Sequence, residues 1–108
     1  MTVLTSLVPT RYGIVLFPGF AELDIFGPSE AVGILALSTY MDISMIAKTL
    51  QPVSSGRMSW FTGPSNATWG ASVMPTHTFK TAPKLDVLIV PGGIGTRGND
   101  GQAAKSKI

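Results

Sequence analysis

One stretch limits what this chain can fold into more than any other: residues 12–28, YGIVLFPGFAELDIFGP. Its opening run, Gly13-Ile14-Val15-Leu16-Phe17, is unbroken apolar and β-branched, the pattern of a strand covered on both faces. Pro18-Gly19 ends it. Beyond that point the apolar residues are spaced, with Phe20, Leu23, Ile25 and Phe26, then Val32, Leu35 and Leu37, compatible with a helical face interrupted at Gly27-Pro28. Pro28 suits a first helical turn, where its missing N–H costs nothing. The pattern therefore predicts a short helical turn carrying Asp24 and a main helix starting near Gly27 and reaching about Ser38. Ser29-Glu30 fits that start, because an acid in the first turn complements the positive end of the helix dipole. Asp24 stands just past the C-terminal end of the strand, in a segment with few other charges. Open parallel α/β sheets place their ligand sites on that rim.

A second landmark answers the first: Leu85-Asp86-Val87-Leu88-Ile89-Val90-Pro91-Gly92-Gly93-Ile94-Gly95 is again a buried-strand run, ended by Pro-Gly-Gly. In a parallel sheet both exits open on the same rim, so the Asp24 carboxylate and the Gly92 and Gly93 amides are expected to converge on one pocket. Gly92 and Gly93 there have two compatible readings, N–H donors to a developing negative charge and a turn needing positive φ. A nucleotide phosphate loop is excluded, since G-x-G-x-x-G, Gly-Lys-Ser/Thr and an acid about twenty positions on are all missing.

Between the landmarks, residues 42–50 (DISMIAKTL) read as a second strand ended by Gln51-Pro52. Residues 53–70 shift toward Ser, Gly, Thr, Asn and Pro, with Trp60, Phe61 and Trp69 interleaved. That composition fits a hairpin excursion or an extended loop anchored by its aromatics. Ala71 to Met74 and Thr76 to Phe79 read as short extended pieces. Residues 1–11 are a loose lead-in, 12–97 a single α/β domain, and 98–108 a tail with almost no large apolar residue, expected to be disordered or divergent.

A chain of 108 residues is one domain at most and short for a complete doubly wound sheet. With 44% hydrophobic and only 13% charged residues, it has more apolar surface than such a chain can cover alone, so an oligomer or a partner chain is expected over the exposed sheet. The net charge of +2 comes from scattered residues and excludes a nucleic-acid footprint. No apolar run approaches the roughly 20 residues of a membrane helix. The N-terminus lacks the form of a signal peptide, so a cytoplasmic location is expected by default, with the acceptor-like Asn66-Ala67-Thr68 unused.

The sequence contains no cysteine, so disulfides, thiolate metal sites and thiol catalysis by this polypeptide are excluded. His77, the lone histidine, reads as structural or solvent-facing. One histidine and scattered acids do not make a metal cluster. Glu22 and Glu30 read as solvated helix surface. Met41, Met45, Met58 and Met74 read as core filler.

FPGFAELDIFGP followed downstream by LDVLIVPGGIGTR resembles the ThiJ/PfpI family of the class I glutamine amidotransferase-like superfamily. The LD-x-x-GP form is most similar to its isonitrile (isocyanide) hydratases and their fungal relatives, over roughly Tyr12 to Arg97. The resemblance implies a flavodoxin-like parallel sheet with flanking helices, incomplete at the C-terminus, and a homodimer. It implies a small organic isocyanide substrate, hydrated to an N-substituted formamide, a secondary-metabolism setting, and no metal or organic cofactor. The family's nucleophile is a cysteine on a strand-to-helix elbow, and the acid beside it matches Asp24. With the sulfur absent, Asp24 has a competing reading as a helix cap. The expected chain is inactive alone, or a non-catalytic ligand-binding or dimerisation module, or a glyoxalase- or deglycase-like member of the same family.

Overall fold

The computed structural model describes residues 8–56 and 68–96. Its strands are β1 (Arg11–Val15), β2 (Asp42–Ala47), β3 (Val53–Ser54), β4 (Ser72–Val73), β5 (His77–Thr78) and β6 (Val87–Ile89), with one helix among the described residues, α1 (Glu22–Leu35), and a 3-10 turn at Ile94–Thr96. Strands β5-β2-β1-β6 form one sheet in that order, and every pairing in it is parallel. A parallel sheet with a helix crossing from β1 to β2 is the α/β, flavodoxin-like arrangement that the two strand-and-exit motifs imply.

Strand β1 lies inside the sheet, which is why the run from Gly13 to Phe17 that begins in it is apolar at every step rather than at alternate ones. Ile14, Val15, Leu16 and Phe17 are all buried, and with Phe20, Ile25, Ala47 and Val53 they make one core cluster. Burying side chains of this kind contributes roughly 1.5–3 kcal/mol each relative to exposure, so this short stretch carries much of the core energy. Gly13 lies in that strand because its neighbours fill the space. A Cβ there would collide with Leu85 and come within 2.9 Å of Ile46 Cδ1. Leu16 extends the pairing past β1 by donating its N–H to the Ile46 carbonyl at 2.8 Å.

The helix departs from the expected two-part form. It runs unbroken from Glu22 to Leu35 with Pro28 inside it, and its N-cap is Ala21, which makes no side-chain cap bond. Pro28 has no N–H to give the Asp24 carbonyl one turn earlier, yet its φ is compatible with a helix. Anchorage of Ile25 and Val32 in the core outweighs the missing bond. After Leu35 the chain leaves through turns in which Ala36 and Thr39 donate to the Val32 and Leu35 carbonyls, at 2.9 and 3.0 Å.

Three other expectations change. Strand β2 stops at Ala47, short of Leu50, and residues 48–51 bend away. Strand β6 is not buried on both faces: it ends the sheet among the described residues, and Leu88, 54% exposed, and Val90, 57% exposed, lie on an uncovered face. Met74 is exposed rather than core filler, whereas Met45 packs against the core. The polar tract does include a hairpin, since β3 and β4 pair antiparallel. Trp60, Phe61, Met58 and Asn66, the first residues of the lead-in and the tail from residue 97 lie outside the described residues. No described helix is long and apolar enough to cross a membrane.

Candidate active site at the strand exits

The exits of β1 and β6 meet at the C-terminal rim of the sheet. Ala21 donates its N–H to the Gly92 carbonyl at 2.8 Å, and Gly95 donates to the Gly19 carbonyl at 3.0 Å. Between these two bonds, Gly92 donates its own N–H to Asp24 Oδ2 at 2.9 Å. The expected meeting of Asp24 with the Pro-Gly-Gly turn is thus a direct contact. It also redirects one donor, because the Gly92 N–H faces the Asp24 carboxylate.

Close approach explains the glycines. At Gly93 φ is +133°, and a Cβ would lie 2.5 Å from the Ala21 nitrogen and 2.7 Å from the Phe20 carbonyl carbon. No side chain fits where two backbones pass at that distance. At Gly95 a Cβ would strike the Pro18 carbonyl oxygen. The Gly92 position is roomier, with Asp24 Oδ2 3.4 Å from a Cβ built there.

Asp24 occupies the first turn of α1 and is exposed, and its side chain reaches across to β6 instead of capping its own helix. Oδ2 holds Gly92, and Oδ1 takes no hydrogen bond among the described residues. That oxygen is the one available to a ligand.

Glu22 is not the solvated surface acid that the sequence implies. Ser55, 1% exposed, donates its hydroxyl to Glu22 Oε2 at 2.5 Å and accepts the Ala71 N–H at 2.9 Å. The Ser54 carbonyl accepts the Gly19 N–H at 2.8 Å, so the β3–β4 hairpin is tied to the β1 exit at two points. Only the neighbouring Ser54-Ser55-Gly56 hinted at this in the sequence, and Ser-Gly pairs are equally common in loops. Glu30 is exposed, as expected.

Two clefts border this rim. One, of about 410 Å³, runs along Leu16, Pro18, Lys48, Thr49 and Gln51 beside the end of β2. The other, of about 360 Å³, is lined by Phe20, Glu22, Ser55, Trp69, Gly93 and Ile94, with the backbone of Gly19 and Ala21. His77 is remote from both in the topology: it lies on the β5 edge, where its Nδ1 is 2.8 Å from Thr76 Oγ1. Among the described residues no group of three metal-binding side chains comes together.

Asp86 is a further carboxylate with an assigned task, at the opposite rim. Its Oδ2 accepts the N–H groups of Thr10 and Arg11, both at 3.0 Å, as β6 begins beside β1. Those two backbone donors, Thr10 first, hold its carboxyl below the ordinary value of 3.8.

No family model matches the chain. Over 85 residues it is 35% identical to the isonitrile hydratase of Pseudomonas putida, a match covering 79% of this chain and 31% of that protein. The chain therefore spans about a third of the length of this curated relative. Together with the parallel sheet and the paired Pro-Gly exits, that identity gives the chain a ThiJ/PfpI-like relationship over the stretch the two proteins share.

Proposed function

We propose that this chain carries the acid-bearing half of an isonitrile hydratase-like site, with Asp24 as its acid–base group and the Gly93 amide as a donor to the substrate. The observation that carries the reading is the Asp24 Oδ2 contact with the Gly92 N–H, which fixes the carboxylate at the rim where two strand exits meet. One oxygen is used for positioning, and the other is left for a proton. Hydration of R–N≡C to R–NH–CHO consumes one water. In the thiol route a thiolate adds to the terminal carbon, a proton is delivered, water adds to the resulting thioimidate and the sulfur leaves. These 108 residues hold no cysteine, so they supply the acid and the hydrogen-bond donor, and the sulfur comes from outside them. The reading includes a small isocyanide substrate, a cytoplasmic secondary-metabolism setting and a homodimer or partner chain.

The absence of sulfur favours a second reading from another class: a ligand-binding or dimerisation module built on the same sheet. The two separate in one assay. Purified chain is incubated with cyclohexyl isocyanide, alone and with a cysteine-containing homologue whose own activity is limiting, and N-cyclohexylformamide is measured. The catalytic-half reading expects no product from the chain alone and a stimulated rate in the mixture, abolished by Asp24→Asn. An unstimulated mixture supports the module, and turnover by the chain alone would show water activation without a thiol.

A further inference from the structure

We propose that the cleft between the first turn of α1 and the β3–β4 hairpin binds a small organic ammonium ion, with Glu22 as its counter-ion and the Trp69 indole as its apolar wall. The inference stands apart from isocyanide hydration, whose substrate and product are both uncharged. It requires neither sulfur nor Asp24.

Four observations carry it. The cleft, about 360 Å³, has the volume for a ligand of one ring and a short arm, and among the described residues Glu22 is the one charged group in its lining. The carboxylate is pre-positioned: Oε2 accepts the hydroxyl of the buried Ser55, while Oε1 has no hydrogen-bond partner among the described residues. Ser55 cannot readily turn away, because its oxygen also accepts the Ala71 N–H and its backbone N–H is bonded to the Ala71 carbonyl, both at 2.9 Å. Its proton is therefore committed to Glu22 Oε2, which fixes the position of the carboxylate. Finally, Trp69 lines the same cleft with more than half of its surface exposed.

An exposed indole beside a fixed carboxylate is the pairing that selects an organic cation. The carboxylate supplies the charge, and the ring face attracts an ammonium while covering the attached apolar group. Among the described residues no Lys or Arg lines the cleft, which disfavours an anion. The first turn of a helix bears a partial positive charge of about half a unit, spread over several N–H groups. The full, localised charge of Glu22 outweighs it for a cation seated against Oε1. Neighbouring Phe20 and Ile94 add apolar surface.

The test uses the full chain and benzylammonium as the probe, with benzyl alcohol as its uncharged counterpart. The indole N–H resonance of Trp69, assigned with Trp69→Phe, is followed through each titration. The expected result is a saturable shift with benzylammonium, little shift with the alcohol, and binding weakened roughly three- to tenfold in Glu22→Gln. The amide keeps an acceptor for Ser55, so this variant retains the hairpin contact. A readout without mutation guards against misfolding. Raising salt from about 0.02 to 0.3 M should weaken benzylammonium binding severalfold by screening and leave the alcohol unchanged. Equal shifts with the two probes, unchanged binding in Glu22→Gln, absence of saturation, or salt-insensitive binding would each overturn the assignment.

Discussion

Asp24 and Asp86 perform matching tasks at opposite rims of the sheet: each carboxylate draws backbone N–H groups from a neighbouring segment onto one oxygen. At Asp86 the consequence is a dependence on pH. The Thr10 and Arg11 amides lower its folded-state pKa below 3.8, so more protons bind to the unfolded chain in that region. The stabilisation is complete above about pH 3.8 and is lost as pH falls through the lowered folded-state value. Urea midpoints measured from neutral pH into that acid window should fall in the native chain, and fall less steeply in Asp86→Asn. Parallel slopes would show that Asp86 does not contribute to the dependence. The positions of Asp24 and the Gly-Gly turn were legible because strand ends and punctuation are local signals. That the Gly92 N–H is taken up by Asp24, and Glu22 by Ser55, was not legible. Both bonds join residues far apart in sequence, and single residues carry no mark of their distant partner.

Helix α1 shows how burial decides what local rules leave open. Pro28 argues for a boundary, and a local reading places one there, yet Ile25 before it and Val32 after it are both buried, so one helix passes through. The opposite face of the helix carries exposed apolar residues around the exposed Glu30. Leu23, 81% exposed, shares a side with Phe26, Ile34 and, just beyond the helix, Leu37, and all four are exposed. Gly27 and Gly33 beside them leave open space where a Cβ would be. Large apolar side chains exposed together along one side of a helix are ordinarily covered, and this side is the natural seam for the proposed homodimer. If so, Leu23→Glu with Ile34→Glu should convert a dimer to a monomer in size-exclusion chromatography with light scattering, without loss of far-UV helical signal. A dimer that survives both charges would place the seam elsewhere.

At the level of the whole molecule, the strand order β5-β2-β1-β6 sets what is left uncovered. Strand β1 has a neighbour on each side and satisfies its sequence fully. Strand β6 has an equally apolar sequence but, among the described residues, one paired neighbour, β1. Sequence pattern registers how apolar a strand is, not what covers each of its faces, so a single expectation of burial fitted β1 and failed for β6. The apolar surplus in the composition, read as surface awaiting a partner, is located here and on α1. Leu88 and Val90, two residues apart, expose their side chains on the same side of the extended chain. An apolar edge of this kind is a template for further pairing. Replacing both with lysine puts charge on that surface while leaving the β1–β6 backbone bonds in place. Dye binding that reports exposed apolar surface should drop, and concentration-dependent association should weaken, with stability changed by no more than about 0.5 kcal/mol because no core contact is removed. Were the double variant instead to unfold, Leu88 and Val90 would be supporting the sheet. The measured change in urea midpoint therefore distinguishes an open edge from a covered one.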